Sequence, residues 1–330
     1  MLRAATELGI TTVSVYSNED RFALHRFKAD ESYPVGAGKG PVEAYIDIDG
    51  IVAMARSARA NAIHPGYGFL AENPELAEAC ERANIVFIGP DADVMRRLGN
   101  KVAARALAVE AGVAVMPATD PLPDDAAATA ALADGIGYPI MVKASWGGGG
   151  RGMRMVESAE ELANAVSAAR GEARAAFGND EVYLEKLVRH ARHVEIQVLA
   201  DVAGTAIHLF ERDCTVQRRH QKVVERAPAP YLTDADRRAI CDAALALVRA
   251  ADYRNAGTVE FLQDADTGKF YFIEATRASR SSIQSPSASL ASTSSRRRSA
   301  SPRAPKSARP KAASRSRTTS RCSATPSNAG

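Results

Sequence analysis

Residues 143–154 read KASWGGGGRGMR, and the apolar stretch YPIMV ends directly before them, at Val142. Apolar residues on both sides of the glycines predict two strands joined by a glycine-rich turn. A dinucleotide-binding fingerprint needs a helix after its glycines, and a Walker A loop ends in Gly-Lys-Ser or Gly-Lys-Thr, so neither motif fits. Four consecutive glycines cost much backbone entropy, which favours a loop whose bare N–H groups bind phosphate over a simple flexible hairpin.

Two lysines could serve such a phosphate-binding loop. Lys143 lies on the strand before the glycines, and Lys101 opens a predicted helix after Gly99 and Asn100. An ammonium group aimed at phosphate is favourable, although an isolated lysine is more often a surface residue. The adjacent glycines favour the functional interpretation for Lys143.

A pair of glutamates lies on the last two predicted strands. Glu260 stands in VEF and Glu274 in FIE, and a turn at 266–269 would join the strands as a hairpin. Carboxylates placed side by side on a hairpin can bridge Mg²⁺ and nucleotide phosphates. Two acids on adjacent strands can equally be solvated surface residues, and the pattern leaves both interpretations open.

The segment ERDCTVQRRHQK (211–222) is dense in polar groups. Its simplest interpretation is a solvated loop. The alternative is a connection between strands that holds an anionic substrate, and the residue types by themselves do not decide between the two.

The order of the predicted elements divides the chain. Residues 1–115 alternate short strands with helices, which indicates a parallel α/β sheet, and residues 91–112 predict one continuous helix. Residues 193–274 predict an antiparallel sheet. No apolar run approaches the roughly 18 residues needed to span a membrane, and no secretory signal pattern opens the chain. We therefore expect a cytoplasmic protein. The four cysteines are scattered with no CxxC pair, which argues against a zinc site or a disulfide framework and for reduced thiols.

Charge separates the C-terminal tail from the rest of the chain. The stretch 275–330 holds twelve of the 42 Lys and Arg residues and none of the 39 Asp and Glu residues. Its Ser, Arg, Ala and Pro content predicts disorder, because such a segment buries too little apolar surface to fold. A basic arm that binds nucleic acid is one interpretation. We do not favour it, since the tail has no aromatic residue to stack on bases.

Four long motifs resemble biotin carboxylase, an ATP-grasp enzyme. They are HPGYGFLAEN (64–73), KASWGGGGRGMR (143–154), YLEKLVRHARHVEIQVLAD (183–201) and ERDCTVQRRHQKVVERAPAP (211–230). The resemblance runs over residues 1–274. Within the family, LHRFKADESYPVG (24–36) and DADTGKFYFIE (264–274) are most similar to the pyruvate carboxylase branch. The acetyl-CoA and propionyl-CoA carboxylase subunits are the alternatives.

The resemblance implies an α/β protein with three parts. Residues 1–98 would form the parallel α/β domain found at the N-terminus of biotin carboxylase. Residues 99–274 would form an incomplete ATP-grasp domain, in which a lid at about 117–188 carries the glycine loop. Residues 275–330 would be a disordered basic tail.

The resemblance also implies a reaction. Enzymes of this family use ATP and two Mg²⁺ (or Mn²⁺) ions to activate bicarbonate as carboxyphosphate, and then carboxylate the ureido nitrogen of biotin on a carrier domain. This is the first half-reaction of pyruvate carboxylase, which converts pyruvate to oxaloacetate. The intact enzymes are homo-oligomers, and the resemblance implies no membrane partner.

Candidate site residues follow from the matching motif positions, grouped by ligand. The ATP phosphates would be held by Lys101, Lys143, Gly148, Gly149 and Gly150. The adenine would lie at Glu185, Lys186 and Val188, and the ribose near His193. The phosphates and substrate would face Gln217, His220 and Lys222, and the metal ligands would be Glu260 and Glu274. Lys222 suits bicarbonate or carboxyphosphate, because a compact ammonium group matches a small oxyanion.

The chain departs from the family pattern after Glu274. The family continues Asn-x-Arg-x-Gln-Val-Glu-His, which supplies a metal ligand, an arginine that steadies the biotin enolate and the base for bicarbonate, whereas this chain continues Ala-Thr-Arg-Ala-Ser. Codons can be chosen for residues 275–302 that encode the sequence of this chain. When the same codons are read from the third base onward, they encode the family motif. We therefore interpret the tail as translated out of frame. The family's first strand is also missing before Leu2. We therefore expect this chain to lack biotin carboxylase turnover.

Overall fold

A computed structural model describes the chain over residues 1–66, 68–147, 151–218 and 221–276. Within these residues the fold is α/β, as the sequence predicts. Four of the candidate site residues, namely Gly148, Gly149, Gly150 and His220, lie outside the described residues. The predicted tail lies outside them as well from residue 277 onward. The prediction of disorder from residue 275 was wrong for Ala275 and Thr276, which pair with Val259 and Thr258 in the last strand.

The N-terminal part contains two parallel pairs of strands. Strand β1 (Val13–Tyr16) pairs with β2 (Glu31–Pro34), and β3 (Ala62–Ile63) pairs with β4 (Val86–Phe87). The helices are α1 (Leu2–Glu7), α2 (Leu24–Lys28), α3 (Pro41–Tyr45), α4 (Ile48–Ser57) and α5 (Pro74–Arg82), and a 3₁₀ turn covers Phe69–Glu72. Leu76 and Cys80, four residues apart on one face of α5, lie in the hydrophobic core of this part. The parallel pairing confirms the prediction made for residues 1–115.

The helix predicted over residues 91–112 is two helices. Helix α6 (Ala92–Gly99) ends one residue before α7 (Lys101–Glu110) begins. Asn100 between them has an extended backbone, and its side-chain oxygen accepts a hydrogen bond of 2.9 Å from the backbone N–H of Ala103. The prediction of one helix was wrong because Asn100 caps a new helix instead of continuing the first. The cap confirms that Lys101 opens a helix.

A three-stranded antiparallel sheet carries the glycine loop. Its order is β6 (Arg154–Val156), β5 (Ile140–Ala144) and β7 (Val182–Lys186), and helices α8 (Ala126–Ile136) and α9 (Ala159–Phe177) pack against it. The buried side chains of these five elements form a hydrophobic core of their own. The glycines therefore join two antiparallel strands, as predicted.

The largest sheet has five antiparallel strands. Its order is β10 (Gln221–Arg226), β9 (Ala206–Arg218), β8 (Ala191–Ala200), β11 (Asn255–Asp264) and β12 (Phe270–Thr276). Helix α10 (Asp234–Ala250) contacts this sheet and shares a hydrophobic core with Val194, Ile196 and Val198 of β8. Because side chains alternate along a strand, Glu195 lies on the opposite face. That face carries the polar residues described below.

The polar segment 211–222 is part of this sheet. It forms the end of β9 and the start of β10, and Glu211 and Asp213 are buried. The interpretation as a solvated loop was therefore wrong. Its charges are retained in a sheet because partners neutralise them, such as Arg237 for Glu211 and Arg226 for Asp213.

Helices long and apolar enough to cross a membrane do not occur among the described residues.

Candidate nucleotide and metal site

Three glutamates form a row across the five-stranded sheet. Glu195 of β8 is the register partner of Glu260 in β11, and Glu260 is in turn the register partner of Glu274 in β12. Residues directly opposite each other on antiparallel strands share a face of the sheet. The hairpin predicted from the sequence thus brings Glu260 and Glu274 side by side. Arg212 of β9, the register partner of Glu195, continues the row on the other side.

Lys222 connects two of these carboxylates. Its Nζ atom donates a hydrogen bond to the carboxylate of Glu195 and another of 2.9 Å to Glu260 Oε1. Lys222 lies on β10, two strands away from Glu195, so its long side chain reaches over β9. The ammonium group therefore neutralises part of the negative charge of a buried carboxylate pair.

His193 and Gln217 complete this part of the site. The Nδ1 atom of His193 lies 3.0 Å from the amide nitrogen of Gln217, which also donates to the carbonyl oxygen of Cys214 at 3.0 Å. An amide N–H can only donate, so Nδ1 accepts and the ring proton of a neutral His193 lies on Nε2. That Nε2 atom is 2.7 Å from Glu260 Oε2, an ion-pair distance although the contact is not aligned as a hydrogen bond.

The charges of this group stabilise one another. Burial alone raises the pKa of Glu260, but the contacts of His193 and Lys222 outweigh that effect and lower the pKa to about 2. Burial lowers the pKa of Lys222, but Glu260 and Glu195 outweigh it and raise the pKa above its ordinary value. The carboxylate of Glu260 and the ammonium group of Lys222 are therefore both charged at neutral pH.

The donor atoms of the row suit a hard divalent cation. Carboxylate oxygens are the ligands that Mg²⁺ and Mn²⁺ prefer, and Glu260 and Glu274 would supply them from adjacent strands. Within the described parts of the chain, the potential ligand atoms of His193, Glu195 and Glu260 also lie within 4.8 Å of one another. The residues present therefore fit a metal ion.

Sequence reasoning missed Glu195. It is 1 % exposed and contacts both Lys222 and Arg212. Glu195 follows His193 by two residues in the strand HVEIQV, and residues i and i+2 of a strand share a face. This spacing could have placed Glu195 beside His193 in the site.

The lysines predicted for phosphate binding lie around the glycine loop. The Nζ atom of Lys101 donates to the carbonyl oxygen of Gly147, and the backbone N–H of Lys101 donates to the carbonyl oxygen of Ser145 at 2.8 Å. Lys143 of β5 forms an ion pair with Glu185 of β7. These contacts place the Lys101 ammonium group at Gly147 and the Lys143 ammonium group against β7.

The three residues predicted for the adenine lie together along the chain but differ in their contacts. Glu185 is buried against Lys143. Lys186 donates to the carbonyl oxygens of Gly137 and Tyr138, at 2.8 and 3.1 Å. Val188 is half-buried just after the end of β7.

Two family models match the chain in succession. Residues 1–95 match the family described as "Biotin carboxylase, N-terminal domain". Residues 100–292 match the family described as "Carbamoyl-phosphate synthase L chain, ATP binding domain".

Two curated relatives are similar to the chain in sequence. The chain is 53% identical over 274 residues to a pyruvate carboxylase of Bacillus subtilis, an alignment that covers 83% of this chain and 24% of that protein. It is 50% identical over 275 residues to a biotin carboxylase of Allochromatium vinosum, covering 83% of this chain and 61% of that protein. The chain thus spans about a quarter of the first and three fifths of the second.

Solved structures agree with these relatives. The structure of Rhizobium etli pyruvate carboxylase with the allosteric activator acetyl coenzyme A matches with a TM-score of 0.80 and 58% identity, over 85% of this chain and 25% of that one. The biotin carboxylase–ATP complex from Campylobacter jejuni matches with a TM-score of 0.82 and 42% identity, over 85% of this chain and 63% of that one. Together with the two family models and the row of carboxylates beside Lys222, these matches show that the chain belongs to the biotin carboxylase family of ATP-grasp enzymes.

Proposed function

We propose that residues 1–276 form the site for ATP, Mg²⁺ and bicarbonate of a biotin carboxylase that carboxylates the ureido nitrogen of biotin. The observation that carries the proposal is the bridge from Lys222 to Glu195 and Glu260 in the row of three carboxylates. Such a site offers oxygen ligands to a metal ion and a compact cation to a small oxyanion within one group of side chains. The 53% identity to a pyruvate carboxylase supports assignment to that branch.

Each group of residues in the proposed site binds a different ligand. Lys101 and Lys143 bind the ATP phosphates together with the glycine loop, and Glu260 and Glu274 hold the metal ion. When bound, the metal ion neutralises charge that develops on the phosphates. Lys222 holds bicarbonate, and Gln217 keeps the His193 ring in one orientation. The glycines at 148–150 and the residue at 220 belong to the same assignment.

The domain limits and partners remain part of the proposal. Residues 1–98 and 99–274 would be the two domains, with the lid at about 117–188. The partners would be ATP, bicarbonate and a biotin carrier domain, in a cytoplasmic homo-oligomer. The acetyl-CoA and propionyl-CoA carboxylase subunits remain the alternative branch.

In this proposal, the binding of ATP and its hydrolysis are separate properties of the chain. The family residues that follow the second metal-binding glutamate are replaced here by Ala-Thr-Arg-Ala-Ser. Without that arginine and that base, we expect the chain to bind Mg²⁺·ATP but not to hydrolyse ATP in a way that depends on bicarbonate and is stimulated by biotin.

Calorimetric titration with Mg²⁺ and a non-hydrolysable ATP analogue tests the binding half. We expect saturable binding that Lys143→Met weakens about tenfold or more, the loss typical of a charged hydrogen bond to phosphate. The matched control is Lys39→Met, which removes a lysine paired with Asp47 at 2.9 Å in the N-terminal part. Equal affinities for the two variants would contradict the proposal, and bicarbonate-dependent, biotin-stimulated ATP hydrolysis above background would contradict the expected lack of turnover.

A further inference from the structure

The ammonium group of Lys222 contacts the carboxylate of Glu260, which is one of the two proposed metal ligands. It contacts Glu260 Oε1 at 2.9 Å, while His193 Nε2 lies 2.7 Å from Glu260 Oε2. Both oxygens of this carboxylate therefore face a protein cation or a ring N–H. Lys222 and Glu260 side chains are only 23% and 5% exposed, so solvent screens their contact weakly.

A divalent cation at Glu260 would have to share the carboxylate with Lys222 and His193. Of its roughly four lone-pair positions, one on Oε1 accepts from Lys222 and one on Oε2 faces His193. The divalent cation would also lie close to the Lys222 ammonium group, and like charges in a buried site repel strongly. The two cations therefore compete for Glu260.

We propose that Lys222 is an internal competitor of the metal ion for Glu260, and that Glu195 holds Lys222 after the metal ion has displaced it. This inference rests on the proposed function, in which Glu260 is a metal ligand. Glu195 suits the second role because it already accepts a hydrogen bond from Lys222 on its other side and is kept in place by Arg212. Glu195 is then a positioning residue.

The exchange has a consequence for substrate binding. Before it, two hydrogen bonds of the Lys222 ammonium group go to Glu260 and Glu195, and after it one goes to Glu195 alone. An ammonium group has three N–H donors, so the exchange leaves two of them instead of one for a small oxyanion such as bicarbonate. Metal ion and bicarbonate then bind with positive coupling, and each raises the affinity for the other by the same factor.

Titration with Mn²⁺ alone, followed by the electron paramagnetic resonance signal of the free ion, tests the competition. We expect Lys222→Met to bind Mn²⁺ about tenfold more tightly than the wild type, because the competing charge is gone. Lys222→Arg keeps the charge and should bind within about twofold of the wild type. Lys39→Met, which removes a lysine remote in sequence, should also stay within about twofold. Unchanged or weaker binding by Lys222→Met would overturn the inference.

A double-mutant cycle tests the role of Glu195. In the wild-type background, Glu195→Gln should weaken Mn²⁺ binding, because Lys222 then has Glu260 as its carboxylate partner and competes harder. In the Lys222→Met background the same change should have little effect. Equal weakening in both backgrounds would mean that Glu195 is itself a metal ligand, and would contradict its assignment as a positioning residue.

A measurement on the unaltered chain covers the case in which Lys222→Met does not fold. Trace acetylation of the wild type, read by mass spectrometry, should label Lys222 several-fold faster when Mn²⁺ is present. An unchanged rate under saturating Mn²⁺ would overturn the exchange while leaving metal binding intact. If no Mn²⁺ binds to any form of the chain, the proposed function fails first, and the inference fails with it.

Discussion

Arg212 and Glu195 are register partners on β9 and β8, and their guanidinium and carboxylate groups form an ion pair in the interior of the site. Arg212 also contacts Glu225 Oε2 at 2.6 Å on β10, so one side chain connects three neighbouring strands. The Glu195 side chain is 1% exposed and that of Arg212 is 15% exposed. The pair therefore fixes the base of the row of carboxylates at a depth where an unpaired charge is costly.

Replacing Arg212 should destabilise the fold strongly. Arg212→Met removes one of the two cations that contact buried Glu195 and should reduce the free energy of unfolding by about 3 kcal/mol, since breaking a buried ion pair is strongly destabilising. Urea unfolding of the whole chain, followed by circular dichroism, measures this loss. The control is Arg96→Met, which breaks a contact of 2.6 Å with Glu78 between side chains that are 45% and 36% exposed. The control should lose about 1 kcal/mol or less, and equal losses would contradict the role of burial.

Arg237 forms two ion pairs, one with a buried carboxylate and one with an exposed carboxylate, so their contributions to stability can be compared. Its Nε atom donates to Glu211 Oε1 at 2.9 Å, where Glu211 is fully buried and also accepts from the backbone N–H of Ala229 at 3.0 Å. Its Nη1 atom contacts Asp234 at 2.8 Å, and that side chain is 84% exposed. Glu211→Gln should therefore lower the free energy of unfolding by about 2 kcal/mol, and Asp234→Asn by about 0.5 kcal/mol or less.

The same urea experiment measures both changes. An equal loss from Glu211→Gln and Asp234→Asn would show that Arg237 does not anchor α10 to the sheet through the buried carboxylate. A loss from Asp234→Asn alone would reverse the assignment.

Local patterns allowed part of the site to be predicted. Glu260 and Glu274 could be placed on adjacent strands from the sequence because a short turn joins those strands. Their exact pairing could not, because the register shifts by one residue between Glu260 and Phe261. The glycine loop was recognisable for the same reason, since both of its strands adjoin it. The contact between Lys143 and Glu185 joins residues about forty positions apart, and no local pattern specifies that register.

Other features depended on tertiary packing. In the sequence, Glu195 cannot be told from a polar residue on the exposed face of a strand. Its burial depends on contacts with Arg212 of β9 and Lys222 of β10. The helical pattern of residues 91–112 is divided between α6 and α7 because one capping side chain, that of Asn100, outweighs the helical propensity of its neighbours. Propensity is a weak guide where a single hydrogen bond decides where a helix begins.

Asp213 should make part of the stability depend on pH. Burial raises the pKa of this carboxyl group, but hydrogen bonds from Thr215, Arg226 and Tyr231 outweigh it, and the pKa in the folded chain lies below the ordinary value of 3.8. A lowered pKa means that the charged form favours folding, so the contribution is complete above pH 3.8 and disappears as the pH falls through the folded value. Asp213→Asn should remove this dependence.

Urea midpoints of the wild type and Asp213→Asn, measured from neutral pH downward, give the test. The wild type should be more stable at neutral pH, and the difference should shrink as the pH approaches and passes 3.8. A difference that stays constant over this range would show that the carboxylate is not preferentially stabilised by its donors. A difference that grows on acidification would mean that the sign of the pKa shift is wrong.

The DNA that encodes the chain should carry the missing family residues in a neighbouring frame. From residue 275 the sequence has no acidic residue and is rich in Ser, Arg, Ala and Pro, which is what a shifted frame of a GC-rich gene produces. Sequencing across the Glu274 codon should therefore reveal Asn-x-Arg-x-Gln-Val-Glu-His two bases out of register. Restoring that frame should also restore bicarbonate-dependent ATP hydrolysis, because the general base and the enolate-binding arginine return together. If no frame encodes this motif, the basic tail is genuine, and its deletion from residue 277 should then abolish binding to a polyanion such as heparin.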